Sequence, residues 1–188
     1  MKKYASILMI GILMAANAQS STPSSQDNQD WDGWKTVGKS SLSWLFFDIY
    51  KSELKTPDGI YKESGDVSPH PMALLINYLR DIPKQQLLDV TQEQWEHLGY
   101  SKEQRDDWIA TLSGIYPDIN KGERLVYVSD GENGQFIFYD SQNKANHLGD
   151  ITSEQLNDAF LSIWFSPNTE YPKHRQQLIG QQTLGKRR

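Results

Sequence analysis

Arg80 is the residue of this chain whose position most clearly suggests a chemical role. In residues 73–83, "ALLINYLRDIP", no charged residue appears before Arg80. In a β-strand alternate side chains share a face, so Arg80 would lie beside Tyr78 and two aliphatic side chains. A guanidinium on such a face needs an anionic partner. That partner is either an internal carboxylate or the carboxylate of a ligand.

A second predicted strand, residues 44–50 or "WLFFDIY", supplies the neighbours of this pair. One face of a regular strand here would carry Trp44, Phe46, Asp48 and Tyr50. Two interpretations follow. Asp48 or another acid could neutralise Arg80 in a buried ion pair. Alternatively, the aromatic side chains could line a cavity between sheet and helices, in which Tyr78 and Arg80 bind a molecule with an apolar body and an anionic head.

Other chemical motifs are missing from the sequence. The chain has no cysteine and four histidines at unrelated spacings, so we predict no metal site. It has no G-x-S-x-G motif, and "VGKSS" at 37–41 lacks the first glycine of a phosphate-binding loop. We therefore assign no catalytic residue and no cofactor. His174, beside Arg175 on the last predicted helix, is expected to be a surface residue.

The first eighteen residues have the pattern of a secretory signal peptide. A lysine pair precedes an apolar run that ends in an A-x-A arrangement at Ala16 and Ala18. The run is short for a membrane span. We expect cleavage after Ala18, export to the periplasm of a Gram-negative bacterium, and no stable membrane insertion afterwards. Residues 19–30 are polar and are predicted to form a disordered linker.

Composition excludes one class of partner. The formal net charge is −5, and loss of Lys2 and Lys3 with the signal peptide makes the mature chain more acidic. Nucleic-acid binding is therefore disfavoured. We predict one domain over residues 31–180, followed by a C-terminal tail over 181–188. The sequence identifies no protein partner.

Strand patterns dominate the first part of this domain. Residues 34–54 predict two strands that turn at the polar segment 39–41. Residues 124–140 predict a hairpin around an Asn-Gly loop.

Helix signals follow residue 83. Capping boxes are predicted at Thr91, Ser101 and Thr152, and apolar stripes follow at residues 108–115 and 156–164. The aromatic residues of those stripes are interpreted as core. Pro172 and Gly180 suit the start and end of a last short helix. The order of elements predicts an α+β fold, with an antiparallel sheet and helices packed on one face.

Several segments in order resemble the bacterial chalcone isomerase-like domain, an exported branch of the chalcone isomerase superfamily. They are "GWKTVGKSSLSWLFFDIYKSELKTPDGIY", "ALLINYLRDIP", "QWEHLG", "GIYPDINKGERL", "FIFYD" and "FSPNTEYPKHRQQLIG". Together they cover about residues 31–180. The resemblance implies an open-faced β-sandwich, in which a long antiparallel sheet carries helices on one side.

What the resemblance implies about function depends on the branch. Plant chalcone isomerases close a flavanone ring, a related branch binds fatty acids through an arginine and a tyrosine, and other members are non-catalytic. The catalytic threonine of the plant enzymes falls on Leu45, and residues 84–95 contain neither the tyrosine nor the asparagine of those enzymes. A site without these hydroxyls loses the electrostatic stabilisation that ring closure needs.

Our leading hypothesis is a periplasmic, non-catalytic binding protein for an apolar carboxylate such as a fatty acid. Arg80 would be the ion partner and Tyr78 the hydrogen-bond donor. Trp44, Phe46 and Tyr50 would line the cavity. An isomerase or lyase with a different substrate is a second hypothesis, and a structural or partner-binding protein without a small-molecule site is a third.

Overall fold

Six strands follow one another across one antiparallel sheet, in the order β1-β2-β3-β4-β5-β6. The computed structural model describes residues 29–44 and 47–181. The strands are β1 (Lys35–Trp44), β2 (Phe47–Thr56), β3 (Met72–Tyr78), β4 (Arg124–Ser129), β5 (Gly134–Tyr139) and β6 (Ala145–Ile151). The helices are α1 (Lys84–His97), α2 (Lys102–Ser113), α3 (Glu154–Phe165) and α4 (Pro172–Leu178), and a 3-10 helix, Gln29–Gly33, precedes β1. The predicted α+β class with an antiparallel sheet is confirmed.

The two faces of the sheet contribute to separate apolar clusters. Alternate β3 side chains such as Leu74 and Ile76 join buried residues of all four helices in the main core. Their neighbours Ala73 and Leu75 lie in a smaller cluster with Trp31. This is the period-2 pattern of a strand buried on both faces. The helices therefore cover one face, and the segment around Trp31 covers part of the other.

The predicted ends of the chain lie largely outside the described residues. The signal peptide over 1–18, the linker up to residue 28 and the tail beyond residue 181 are among them. Among the helices that the structure does describe, none combines the length and the apolar character needed to cross a membrane.

The prediction of a turn at residues 39–41 is wrong. β1 continues through this polar segment to Trp44, and β2 begins at Phe47. Ser40 is polar but buried. Its hydroxyl is hydrogen-bonded to His174 and Gln177 of α4, which offsets the cost of its burial. A buried polar residue with partners is compatible with a strand interior, whereas the sequence pattern alone indicated a solvated turn. Strand β6 was not predicted, and most of its residues are exposed.

One of the three predicted capping boxes is present in the structure. The predicted capping box at Ser101 is present, with Gln104 as its partner. The box predicted at Thr91 is wrong, because this residue lies inside α1 and its hydroxyl donates to the carbonyl of Leu87. The box predicted at Thr152 is also wrong, because Ser153 is the N-cap of α3 and its hydroxyl accepts from the backbone N–H of Leu156, a side chain that cannot return the bond.

Helix α4 packs directly on β1, and Gly38 permits this close approach. A Cβ atom at Gly38 would lie 2.0 Å from the carbonyl oxygen of Gln177 and 2.5 Å from that of Leu178. These are backbone atoms, which cannot rotate away as a side chain would. Pro172 begins α4 and Gly180 follows its end with a φ of 76°, as the sequence indicates.

We therefore predict that Gly38→Ala displaces α4 and lowers the free energy of unfolding by about 1–3 kcal/mol, the usual cost of overpacking. Denaturant titration would measure the change. Gly65→Ala is the matched control, because a Cβ atom there meets nothing within 4 Å. Equal stability of the two variants would contradict the close packing of α4 on β1.

Candidate functional site

A cavity of about 610 Å³ lies between the sheet and the helices at the end of β3. The sheet wall consists of residues from β1 to β4: Leu42, Ser43, Ile49, Tyr50, Ile76, Tyr78 and Leu125. The helix wall includes Leu87, Val90 and Thr91 of α1 and Phe160, Ile163 and Trp164 of α3. Tyr116, Tyr171 and His174 also line the cavity. Most of these side chains are apolar or aromatic, as in ordinary small-molecule sites.

A β-bulge in β2 brings two consecutive residues to this cavity. Leu42 pairs with Tyr50 and Ser43 pairs with Asp48, so Ile49 is the extra residue. A bulge interrupts the strict alternation of side chains. Ile49 and Tyr50 consequently both line the cavity, although a regular strand would direct them to opposite faces.

Arg80 lies at the rim of the cavity. It follows the end of β3 at Tyr78 and is exposed to solvent. No described carboxylate lies within salt-bridge distance of its guanidinium. Asp48, the acid considered as its partner, is exposed and accepts a hydrogen bond from Ser43 instead. The described residues therefore contain no buried ion pair at Arg80.

Tyr78 lies inside the same cavity and is only 5% exposed. Its ring packs edge-on against Tyr50, with 6.1 Å between ring centroids. Burial raises the pKa of the Tyr78 hydroxyl well above its ordinary value, and the neighbouring hydroxyls of Tyr116 and Tyr50 raise it further. At physiological pH Tyr78 is therefore a neutral hydrogen-bond donor.

Trp164 fixes the position of Tyr50. The indole Nε1–H of Trp164 donates to the Tyr50 hydroxyl at 3.0 Å. Burial raises the pKa of Tyr50 above its ordinary value, which outweighs the lowering effect of this bond. The interpretation of the α3 aromatic stripe as core is thus correct for Phe160, which is buried, but incomplete for Trp164, which is half-buried and positions a cavity residue.

The prediction that His174 is a surface residue is wrong, because its imidazole is buried between α4 and the sheet. Its Nδ1 lies 2.8 Å from the Ser40 hydroxyl, and its Nε2 lies 3.0 Å from that of Ser52. Ser40 donates its own proton to Gln177. His174 must then donate from Nδ1 to Ser40 and accept from Ser52 at Nε2. Both nitrogens are thereby engaged in holding α4 on β1 and β2.

Acidic groups occupy another part of the rim. Glu93 and Glu170 line the opening, and both are exposed. Glu170 accepts a 2.6 Å hydrogen bond from Gln94 of α1. Two of the exposed large apolar side chains, Val90 and Tyr171, also lie at this opening. The charged groups therefore stay at the mouth, while the walls inside are neutral.

Three of the five predicted site residues, Tyr50, Tyr78 and Arg80, line the cavity. Phe46 and the side chain of Trp44 lie outside the described part of the chain. The cavity residues that were not predicted as site residues include Tyr116, Trp164, Tyr171 and His174. They come from segments distant in sequence from β2 and β3, so no local pattern associates them. In the described ranges, no group of three or more histidine, aspartate or glutamate residues is placed to hold a metal ion.

Comparison with known proteins leaves the family open. No family model matches the chain. It is similar to an uncharacterised protein of Haemophilus influenzae, with 24% identity over 147 residues. The aligned region covers 78% of this chain and 68% of the relative.

We predict that His174 makes stability depend on pH. Burial lowers its pKa from 6.5 to about 4, so the folded state resists a proton that the unfolded chain accepts. The stabilisation is complete above pH 6.5 and is lost as the pH falls towards 4, by on the order of 3 kcal/mol. Denaturant titrations across this pH range would measure it.

His174→Gln removes the titrating group and keeps a donor and an acceptor, so its stability should change less between pH 6.5 and 4 than that of the wild type. The control is His97→Gln, an exposed position on α1. Parallel pH profiles for His174→Gln and the wild type would contradict this assignment.

Proposed function

We propose that the protein is a non-catalytic binding protein for an apolar carboxylate such as a fatty acid. The observation that carries this proposal is the cavity itself. It encloses about 610 Å³ behind largely apolar walls and has one arginine at its rim. Small-molecule sites commonly enclose 300–1,000 Å³ and combine apolar walls with a few polar groups.

Arg80 supplies the anion-binding group. Its guanidinium has no carboxylate partner among the described residues, and its planar donors match the two oxygens of a carboxylate. Because Arg80 is exposed, the bound head group keeps contact with water and avoids the cost of a buried charge. The apolar part of the ligand would then extend inwards past Tyr78, which offers a hydroxyl donor.

The resemblance to the chalcone isomerase superfamily supports the same proposal. An antiparallel sheet with helices on one face is the architecture that the resemblance implies. The fatty-acid-binding branch combines an arginine with a tyrosine, as Arg80 and Tyr78 are combined at this cavity. Fold alone does not establish function, so the chemistry of the site carries the proposal.

A non-catalytic role is consistent with the titratable groups of the cavity. Burial raises the pKa values of Tyr50, Tyr78 and Tyr116, which makes them donors rather than bases. His174 has both nitrogens engaged by serines. The acids Glu93 and Glu170 that line the cavity are exposed to solvent.

We propose further that the protein works in the periplasm after export. The support is the pattern of residues 1–18. The mature protein should begin at Gln19, and N-terminal sequencing of the periplasmic fraction would show it. An intact Met1 in the cytoplasmic fraction alone would contradict export.

The central test is Arg80→Ala. Dodecanoate should bind this variant at least tenfold more weakly than the wild type, because charge-assisted hydrogen bonds to the carboxylate are lost. 1-Dodecanol has the same chain without the charge and should bind both proteins equally. Isothermal titration calorimetry would measure the four affinities.

Lys35→Ala is the matched control, because it removes an exposed positive charge at the start of β1, where the strand pairs with Thr56 at the opposite end of β2 from Tyr50. It should leave both affinities unchanged. Equal losses for dodecanoate and dodecanol in Arg80→Ala would mean that Arg80 does not bind the carboxylate. If the wild-type protein binds neither probe, the proposed function is wrong.

A further inference from the structure

Two tyrosine hydroxyls inside the cavity hold donor protons for which no described residue provides an acceptor. The Tyr50 oxygen accepts from Trp164, which leaves the proton of Tyr50 unused. The Tyr78 hydroxyl makes no hydrogen bond to any residue that the structure describes, although the side chain is 95% removed from solvent. Buried donors normally have partners, so an unused pair needs an explanation.

The Tyr78 hydroxyl faces open space rather than packed protein atoms. In the described residues, the fully buried side-chain polar atoms without a partner are Arg105 Nε and Arg124 Nε, and no tyrosine oxygen is among them. The Tyr78 hydroxyl must therefore contact the cavity that its side chain lines. Tyr50 lines the same cavity and is only half-buried.

Other buried tyrosines, one of them in the same cavity, do have acceptors. Tyr127 donates to the Asn157 side chain at 2.8 Å. The Tyr116 hydroxyl oxygen lies 3.4 Å from the Thr91 hydroxyl oxygen. Thr91 donates its own hydroxyl proton to the Leu87 carbonyl. Thr91 is thus left as the acceptor for Tyr116. The buried Tyr78, by contrast, has no acceptor among the described residues, and neither has its half-buried neighbour Tyr50.

The position of Arg80 indicates what kind of acceptor belongs between them. The carboxylate of the proposed ligand lies at the exposed rim, where hydration costs little. A carboxylate drawn inwards to Tyr78 would lose its water and gain only two neutral donors. A ketone oxygen is uncharged, costs less to bury and has two lone pairs for two donors.

We infer that the ligand carries a second oxygen, a ketone or equivalent neutral carbonyl within its apolar body, which accepts hydrogen bonds from Tyr50 and Tyr78. This inference rests on the proposed function for the carboxylate at Arg80. The ligand class is therefore an apolar oxo-acid rather than an unsubstituted fatty acid. Tyr50 and Tyr78 determine this specificity.

The experiment compares dodecanoate with a series of oxododecanoates that differ in the position of one ketone. At least one member should bind the wild type roughly tenfold more tightly than dodecanoate, because two buried hydrogen bonds are gained. Tyr50→Phe and Tyr78→Phe should each bring the affinity for that oxododecanoate closer to the affinity of the same variant for dodecanoate. Tyr139→Phe is the matched control, because it removes a tyrosine hydroxyl on the other face of the sheet, and it should keep the preference.

Neutral dodecanones separate failure of this inference from failure of the proposed function. If no acid binds but a dodecanone binds the wild type about tenfold more tightly than the Tyr50→Phe, Tyr78→Phe double variant, the ketone site stands and the carboxylate site is wrong. If dodecanoate binds but no ketone-containing probe prefers the wild type to the double variant, the inference is overturned. Equal loss of dodecanoate and oxododecanoate in Tyr78→Phe would also overturn it, by placing the carboxylate at Tyr78.

Discussion

The close packing of α4 on β1 is the constraint on which the candidate site depends. Gly38 lets the backbone of α4 approach the strand, and His174 connects the helix to Ser40 and Ser52 on two strands. Because His174 and the preceding Tyr171 also line the cavity, the same contact that closes the fold forms one wall of the site. A shift of α4 would open that wall.

Charge is distributed unevenly around the cavity, and this distribution limits its chemistry. Arg80, Glu93 and Glu170 lie at the exposed rim. Inside, burial keeps the tyrosines protonated and His174 neutral. An interior of neutral donors and apolar walls suits an uncharged ligand body, whereas the rim can hold an ionised head group in contact with water.

The sequence indicated part of the site because Tyr78 and Arg80 are two residues apart at the end of an apolar strand. That spacing is local, and it brings both residues to one cavity. It could not reveal that Arg80 lies beyond the strand and is exposed, since this depends on where α1 begins. The backbone N–H of Lys84 at the start of α1 is bonded to Asp118, which is 34 residues away. Trp164 and Tyr116 were likewise missed, because they meet the cavity only after the chain folds back.

By itself the sequence determined the features that short-range chemistry controls. These include the β4–β5 hairpin around its Asn-Gly loop, the Ser101 capping box of α2, and the Pro172 and Gly180 boundaries of α4. The tertiary structure alone decided that the polar segment around Ser40 continues a strand, because α4 supplies the hydrogen-bond partners that a solvated turn would take from water. It also decided that a cavity exists, since the space left between helices and sheet depends on how whole elements pack and not on any one segment.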